Sequence, residues 1–572
     1  MRSINEIIEL KTSLLHDNSN RDAVFDKLTG YYNGSMQLGI MPSDIEVYVP
    51  PTARSQVDDA TDHLMALKQR VVVPLWAETQ KAKETASVLQ RFGESFLQWI
   101  ESVHRHNIRR SCLKHGILYG MFCFKGPLYV PRFHNEEMDD DDWDSYLRQS
   151  FPFVFQSVHP RNIYLGNPID PEFVIEVCPR KVFSIKDKWP EWDYGSLNLS
   201  DNVLWWEYWD AKQRAYFVTA SKGKNGEQVI SQEENIYGFV PYEIGYGGFG
   251  MESEDGKPED LCVSMIAPAL SSYKMEARLK TALSAELEYG VYGKPTTNVP
   301  PGEDFIDAIA PGERSVHPEH YNFRYEETPR ANPEAYRMLQ LINDDQQKVM
   351  PSVVQGVWPK GVTSGYMGAI SVGQARLSLE GLKTSWCIAT GNKLNHVTRL
   401  VKDVVMEPIG LLGNFSTGKS MQTIKPEILN PDIQRFYVQL DAESPEMRDR
   451  RIMLGLRLLS QGALSWETIT REYFDADPDI EMNRKLVEAA LNSPIIQQGL
   501  AVAAAQDMGM HELIEMIKQG ALQAPSQLQP QNQGKPITDR MAQDTMRSKM
   551  RLEQGTGEIG SRAEMEGAYE AI

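Results

Sequence analysis

Apolar residues recur every three or four positions through much of residues 1–150. Over 74–125 the series Leu97, Ile100, Val103, Ile108, Leu113 and Ile117 predicts helix, so this part reads as mainly helical. Between about 151 and 250 the texture changes. FPFVFQSV (151–158), VIEVCPRKVF (174–183), VLWWEYWD (203–210) and AYFVTA (215–220) are aromatic and β-branched, with turn formers between them. They predict strands, and KGKNGEQ (222–228) reads as a hairpin tip.

Helical spacing returns over 259–290, at Leu270, Tyr273, Ala277, Leu283 and Leu287, with Pro268 marking a restart. Residues 291–330 are broken repeatedly by Pro and Gly and read as a compact module with short strand-like pieces. A second helix then begins, with Asn332 as cap and Pro333 in the first position. Its apolar stripe is Ala335, Met338, Leu339, Ile342 and Val349. The loop VVQGVWPKGVTSGYMG (353–368) is too long for a simple connector. A long helix follows through Val372, Ala375, Leu379, Leu382, Trp386 and Ala389, resuming at Leu394, Val397, Val401 and Val404. DIQRFYVQL (432–440) is a β-like patch, and helix is expected again to about 519. The Gln/Pro-rich stretch from 520 has too few apolar residues to form a core of its own. No fixed-period repeat is present. The fold class is therefore α+β, mainly helical.

Length and charge narrow the function. A chain of 572 residues can bury a sizeable core. Five scattered cysteines without a CxxC pair argue against a disulfide framework and against a thiolate zinc site. No apolar run is long enough to span a bilayer, so no membrane partner is expected, and the first residues do not read as a secretory signal. The net charge of −19 is the wrong sign for a protein that clasps nucleic acid by neutralising phosphates.

Candidate chemistry is thin. GNFSTGKS (413–420) matches the Walker A pattern, with Gly413, Gly418, Lys419 and Ser420 at the required spacing. A phosphate loop works at a strand-to-helix junction, where backbone N–H groups and a helix N-terminus meet the phosphates. Here a helical pattern leads in, Pro426 and Pro431 break the sequence beyond, and no Walker B aspartate follows. The pattern reads as a polar turn between a helix and a strand; a P-loop NTPase using Gly413–Ser420 is the alternative functional class. His104, His106 and His115, or His317 and His320, supply too few well-placed ligands for a metal. EEMDDDDWD (136–144) lacks the glycine and final glutamate of an EF-hand and reads as a solvated acidic loop. GYGGFG (245–250) is not a dinucleotide fingerprint. No catalytic residue, metal or cofactor is expected.

Four stretches, together with the order of elements, resemble the portal protein of tailed bacteriophages over nearly the whole chain. They are YYNG (31–34), FQSVHPRNIYLGNP (155–168), GFVPYEIGYGGFG (238–250) and VVQGVWPKGVTSGYMGAISVGQARLSLEGL (353–382). The resemblance implies a wing over 1–257, with the β-rich insert at about 151–250, and a first stem helix over 258–290. A clip follows over 291–331, a second stem helix over 332–352 and a tunnel loop over 353–370. It also implies a long wing helix and β patch over 371–440, a crown over 441–520 and a polar tail over 521–572. Such subunits form a closed homo-oligomeric ring, typically a dodecamer, at one capsid vertex of the virion, assembled in the host cytoplasm. The ring is a non-enzymatic channel for genome packaging and ejection. Its implied partners are the terminase large subunit, head-tail adaptor proteins, major capsid and scaffolding proteins, and double-stranded DNA passing non-specifically.

The implied sites are Val357, Trp358, Lys360, Thr363 and Tyr366 on the loop facing DNA, and Asp304, Asp307, Glu313 and Arg314 on the clip facing motor or adaptor. Channel-lining charges would be Arg278, Lys280, Arg337 and Lys348, each of which has a neighbouring acid as its alternative partner. An acidic bore lets a duplex slide, because a basic one would hold a polymer carrying about one charge per 1.7 Å. The glycines of the loop permit the backbone freedom a constriction needs. The apolar stripe of the second stem helix needs a partner surface, which a neighbouring copy would supply.

Overall fold

The computed structural model describes residues 1–39, 46–77, 79–102, 107–134, 138–195, 197–219, 227–252, 254, 256–292, 294–297, 323–326, 333–349, 377–415, 418–441, 445–474, 481–482, 485–486 and 489. Two helices, α1 (Ile4–Asp17) and α2 (Ser19–Asn33), open the chain, and α3 (Thr52–Met65) precedes strand β1 (Lys68–Val72). Helices α4 (Gln80–Ser102) and α5 (Ile108–Tyr119) lead into β2 (Met121–Tyr129), and α6 (Asp140–Gln149) into β3 (Phe153–Val158) and β4 (Ile163–Leu165). Then come β5 (Phe173–Lys181), α7 (Val182–Lys188), β6 (Asn202–Asp210), β7 (Gln213–Thr219), β8 (Glu227–Glu234) and β9 (Tyr242–Tyr246). The short α8 (Pro258–Leu261) and a 3-10 turn at Ala267–Ala269, holding Pro268, precede α9 (Leu270–Tyr292). Next are β10 (Lys294–Thr297), β11 (Phe323–Glu326), α10 (Pro333–Val349) and α11 (Glu380–Leu400), which ends in a π-turn at Val401–Val405. Strands β12 (Ile409–Phe415), β13 (Gly418–Ile424) and β14 (Tyr437–Asp441) are followed by α12 (Pro445–Ser460) and α13 (Trp466–Glu472).

The expected β-rich segment is an antiparallel five-stranded sheet in the order β4-β5-β6-β7-β8. Strict alternation gives it two buried faces. Trp206, Tyr208, Ile175 and Phe217 pack in a cluster with Ile4, Ile7 and Ile8 of α1. Trp205, Trp209, Val174 and Val218 join the main core on the other face. A three-stranded sheet, β3-β2-β9, packs against α5, and α11 packs on β9, β2 and β14.

Several elements depart from expectation. MFCFKGPLY is strand rather than the end of a helix. Met121 to Phe124 are buried at every position, and an apolar run of that kind carries neither period. The acidic run is not a loop throughout: Asp139 caps the helix Asp140–Gln149 by accepting from the Asp142 N–H. The β patch Tyr437–Asp441 finds its partner at the far end of the chain, pairing antiparallel with Lys68–Val72. The stripe of α10 does not wait for another copy. Ala335, Met338, Leu339, Ile342, Gln346 and Val349 are its less exposed positions, and α10 packs along α9 of the same chain.

The chain divides into compact units at Met447/Arg448. In the second, α12 lies against α13, where Gly455 leaves room for the Tyr473 side chain. The remainder of the implied crown, the tail from 521, and residues 350–376 with the whole implied tunnel loop lie outside the described residues.

Candidate functional site

Helices α9 and α10 form an antiparallel hairpin carrying the antiparallel strand pair β10–β11 between them. With 23 and 17 residues they are about 35 and 26 Å long. The described polar contacts to the body lie at one end. Arg278 Nε donates to Leu38 O at 2.6 Å, and Thr281 Oγ1 accepts from the Tyr48 N–H at 3.1 Å. Thr52 Oγ1 donates to Glu276 at 3.2 Å, and Gln56 Nε2 to Gln346 O at 3.3 Å. Tyr273 OH donates to Gln56 Oε1, and Gln346 Nε2 to Glu276 Oε2 at 2.8 Å. Thr52 of α3, Gln346 of α10 and Lys280 of α9 thus meet on one buried carboxylate, Glu276.

The candidate channel charges sit on this hairpin. Lys280 is 2.6 Å from Glu276, Arg337 is 3.9 Å from Glu334, and Lys348 is 2.7 Å from Asp345. Arg278 uses a backbone carbonyl instead. The Arg337 and Lys348 side chains are 74% and 76% exposed, so their ion pairs are weak and leave both groups open to an incoming phosphate. The clip candidates Asp304, Asp307, Glu313 and Arg314, and the loop candidates Val357, Trp358, Lys360, Thr363 and Tyr366, lie outside the described residues.

The Walker-like segment is a β-hairpin. Gly413 pairs with Ser420 and Asn414 with Lys419 across β12 and β13, so strand, and not helix, follows the pattern. The backbone groups of that segment are turned to each other across a ladder rather than around an anion. The bland expectation needs one correction: the segment joins strand to strand, because Gly413–Phe415 already belong to β12.

His115 stands beside His159, with ring centroids 5.1 Å apart, and His159 Nε2 lies 3.1 Å from Tyr119 OH. Burial, then the neighbouring His159 and Lys114, push His115 down to about 3. His104 and His106, and His317 and His320, fall outside the described residues, among which no group of three His, Cys, Asp or Glu is placed to hold a metal. One polar cluster gave no signal in the sequence. Lys125 Nζ of β2 donates to Glu176 of β5 at 2.7 Å and to Glu207 of β6 at 2.9 Å, while Tyr242 OH donates to Glu176 at 2.8 Å. Trp205 and Trp209 indoles donate to Glu207. Each member already has partners inside the fold, so the cluster ties the three-stranded sheet to the five-stranded one. Burial opposes the Lys125 charge, yet the two carboxylates hold its pKa above the usual lysine range.

No protein-family model matches the sequence, and no curated protein matches it. Among solved structures, the chain is similar to a protein in the neck of an empty gene transfer agent particle with C6 symmetry, at TM-score 0.36 and 9% identity. That match covers 74% of this chain and 89% of the other. It is also similar to one in the neck of the native particle with C12 symmetry, at TM-score 0.35 and 10% identity over the same shares. A third, from the native virion, matches at TM-score 0.35 and 10% identity, over 75% of this chain and 91% of that one.

Proposed function

We propose that this chain is the subunit of a portal ring, a mechanical conduit for double-stranded DNA at one vertex of a phage-like capsid. The observation carrying this reading is the α9–α10 hairpin, two rods bearing a strand pair and rooted to the body through Glu276 and its neighbours. Copies arranged about an axis, twelve by the resemblance, line a bore with these rods. The strand pair then projects as the clip for terminase and later the adaptor proteins, and the wing faces capsid and scaffolding proteins.

Electrostatics supports the same reading. The chain carries −19 overall, and its exposed stem cations stand next to acids. A duplex in such a bore meets scattered positive contacts without the dense neutralisation that would hold it in place. The role is one of positioning and passage; no bond need be made or broken by the chain itself. Residues 353–370 would form the constriction.

The deciding experiment is light scattering of the purified chain with negative-stain microscopy. Annular particles with an axial hole are expected. A monomer at micromolar concentration showing no annuli overturns the proposal.

A further inference from the structure

Two faces of the first unit expose opposite charge together with aromatic side chains. On α6 and the segment before it, Asp140, Asp141, Asp142 and Asp144 are all exposed. Capping employs Asp139 alone, and Asp144 meets Arg148 at 3.4 Å in a surface pair of little worth. Trp143 and Tyr146 stack at 5.4 Å beside them, and Phe133 is 83% exposed. Asp141, Asp144, Ser145 and Arg148 also border an open cleft of about 310 Å³ against Met421 and Thr423 of β13. A helix start needs one capping group; it does not need this density of carboxylates.

The second face surrounds α7. Lys188 lies over the Trp189 ring at 4.5 Å and over Tyr216 at 5.5 Å. Lys186 lies over Tyr194 at 5.6 Å and donates to Trp192 O at 2.8 Å. Among the described residues neither ammonium has a carboxylate partner. Arg180 stands over the buried Trp205 and pairs with Glu207, and Arg214 stands over the buried Trp209 and pairs with Glu233. Phe183 and Leu199 are exposed alongside. Burial depresses the Lys188 pKa, against the attraction of Glu207 and with smaller contributions from Lys125, Arg180 and Arg214.

A ring closes through heterologous contacts, which require two different, complementary patches on each subunit. We infer that the acidic–aromatic face of α6 on one copy docks against the cationic–aromatic face of α7 on the next. The inference rests on the ring reading above. Charge complementarity selects the occupant: among the described residues of α7, Lys186 and Lys188 stand over half-buried rings without a carboxylate at ion-pair distance, opposite in sign to the α6 face. Aromatic side chains on both faces supply apolar anchors within the polar contact.

The test reverses each face separately and then together, in the full chain, with circular dichroism confirming that each variant is folded. Asp140→Lys with Asp141→Lys, and separately Lys186→Glu with Lys188→Glu, should each raise the protein concentration for half-assembly at least about tenfold. The quadruple variant should recover to within about threefold of the native chain, and native assembly should weaken between 50 and 500 mM salt. Rings that form equally well in all variants overturn this docking and leave the ring reading standing. Loss in both double variants without recovery in the quadruple one also overturns the pairing. Absence of rings from the native chain overturns both.

Discussion

Gln346 Nε2 donates to Glu276 Oε2 across 2.8 Å, joining the last turns of α10 to the first turns of α9. Both side chains are buried, and Glu276 also accepts from Thr52 and meets Lys280. Replacing Gln346 by Leu removes one donor from a buried carboxylate and leaves the rest of the knot in place. The expected cost is about 1–3 kcal/mol, the desolvation of an acceptor left short of a partner. Hydrogen exchange should rise first in 270–292 and 333–349, since the knot roots both helices. Equal loosening of the five-stranded sheet would contradict the assignment of the knot as a local anchor.

The Lys125 cluster should behave differently from a surface pair. Lys125→Met leaves Glu176 and Glu207 facing each other in the core, and urea unfolding should register a loss of about 3–5 kcal/mol. Adding Glu176→Gln and Glu207→Gln to the same chain should recover part of that loss, because the uncompensated charges go with it. A larger loss in the triple variant would show that the amides fail to use the Tyr242, Trp205 and Trp209 donors.

Legibility followed periodicity and failed where periodicity is silent. Pro268 and Pro333 mark the starts of α9 and α10, because prolines are local signals, but the helix expected over 259–290 begins as α9 only at Leu270, after the short Pro258–Leu261 helix and the turn at Ala267–Ala269. Strand β2 was misread because both of its faces are covered, so no alternation survives in MFCF. The pairing of Lys68–Val72 with Tyr437–Asp441 joins segments more than 350 residues apart, which no window can see. Nothing in the sequence singles out Lys125 or Lys393; only the fold shows Lys393 buried, donating to Gly126 O and Pro241 O. The stripe of α10 pointed correctly to a partner surface, but α9 of the same chain provides one, so the stripe by itself is no argument for oligomerisation.

Acid should destabilise the chain through its neutral histidines. Burial, reinforced by nearby cations, holds His396 at about 3, as burial and His159 do for His115. Unfolded histidine titrates near 6.5, so the unfolded chain takes up protons that the folded one refuses. Stability from these groups is complete above about pH 6.5 and is lost as pH falls toward 3. The expected slope is roughly 1 kcal/mol per histidine per pH unit below about 6. Urea midpoints measured from pH 7 to 5 should fall less steeply in His115→Phe than in the native chain; parallel profiles would remove His115 from the account.

Lys419 discriminates between the two functional classes. In a phosphate loop its ammonium reaches the β- and γ-phosphates, and its loss abolishes turnover. Here its backbone is paired with Asn414 in an antiparallel ladder, β13 runs on as strand to Ile424, and no α-helix N-terminus follows directly to meet an anion. Lys419→Ala should therefore leave annular particles and their mass unchanged, with the free energy of unfolding within about 1 kcal/mol of native. Isothermal titration with ATP and magnesium should give no heat of binding in either protein. Saturable binding in the native chain that disappears in Lys419→Ala would restore the NTPase and require the β12–β13 hairpin to refold around nucleotide.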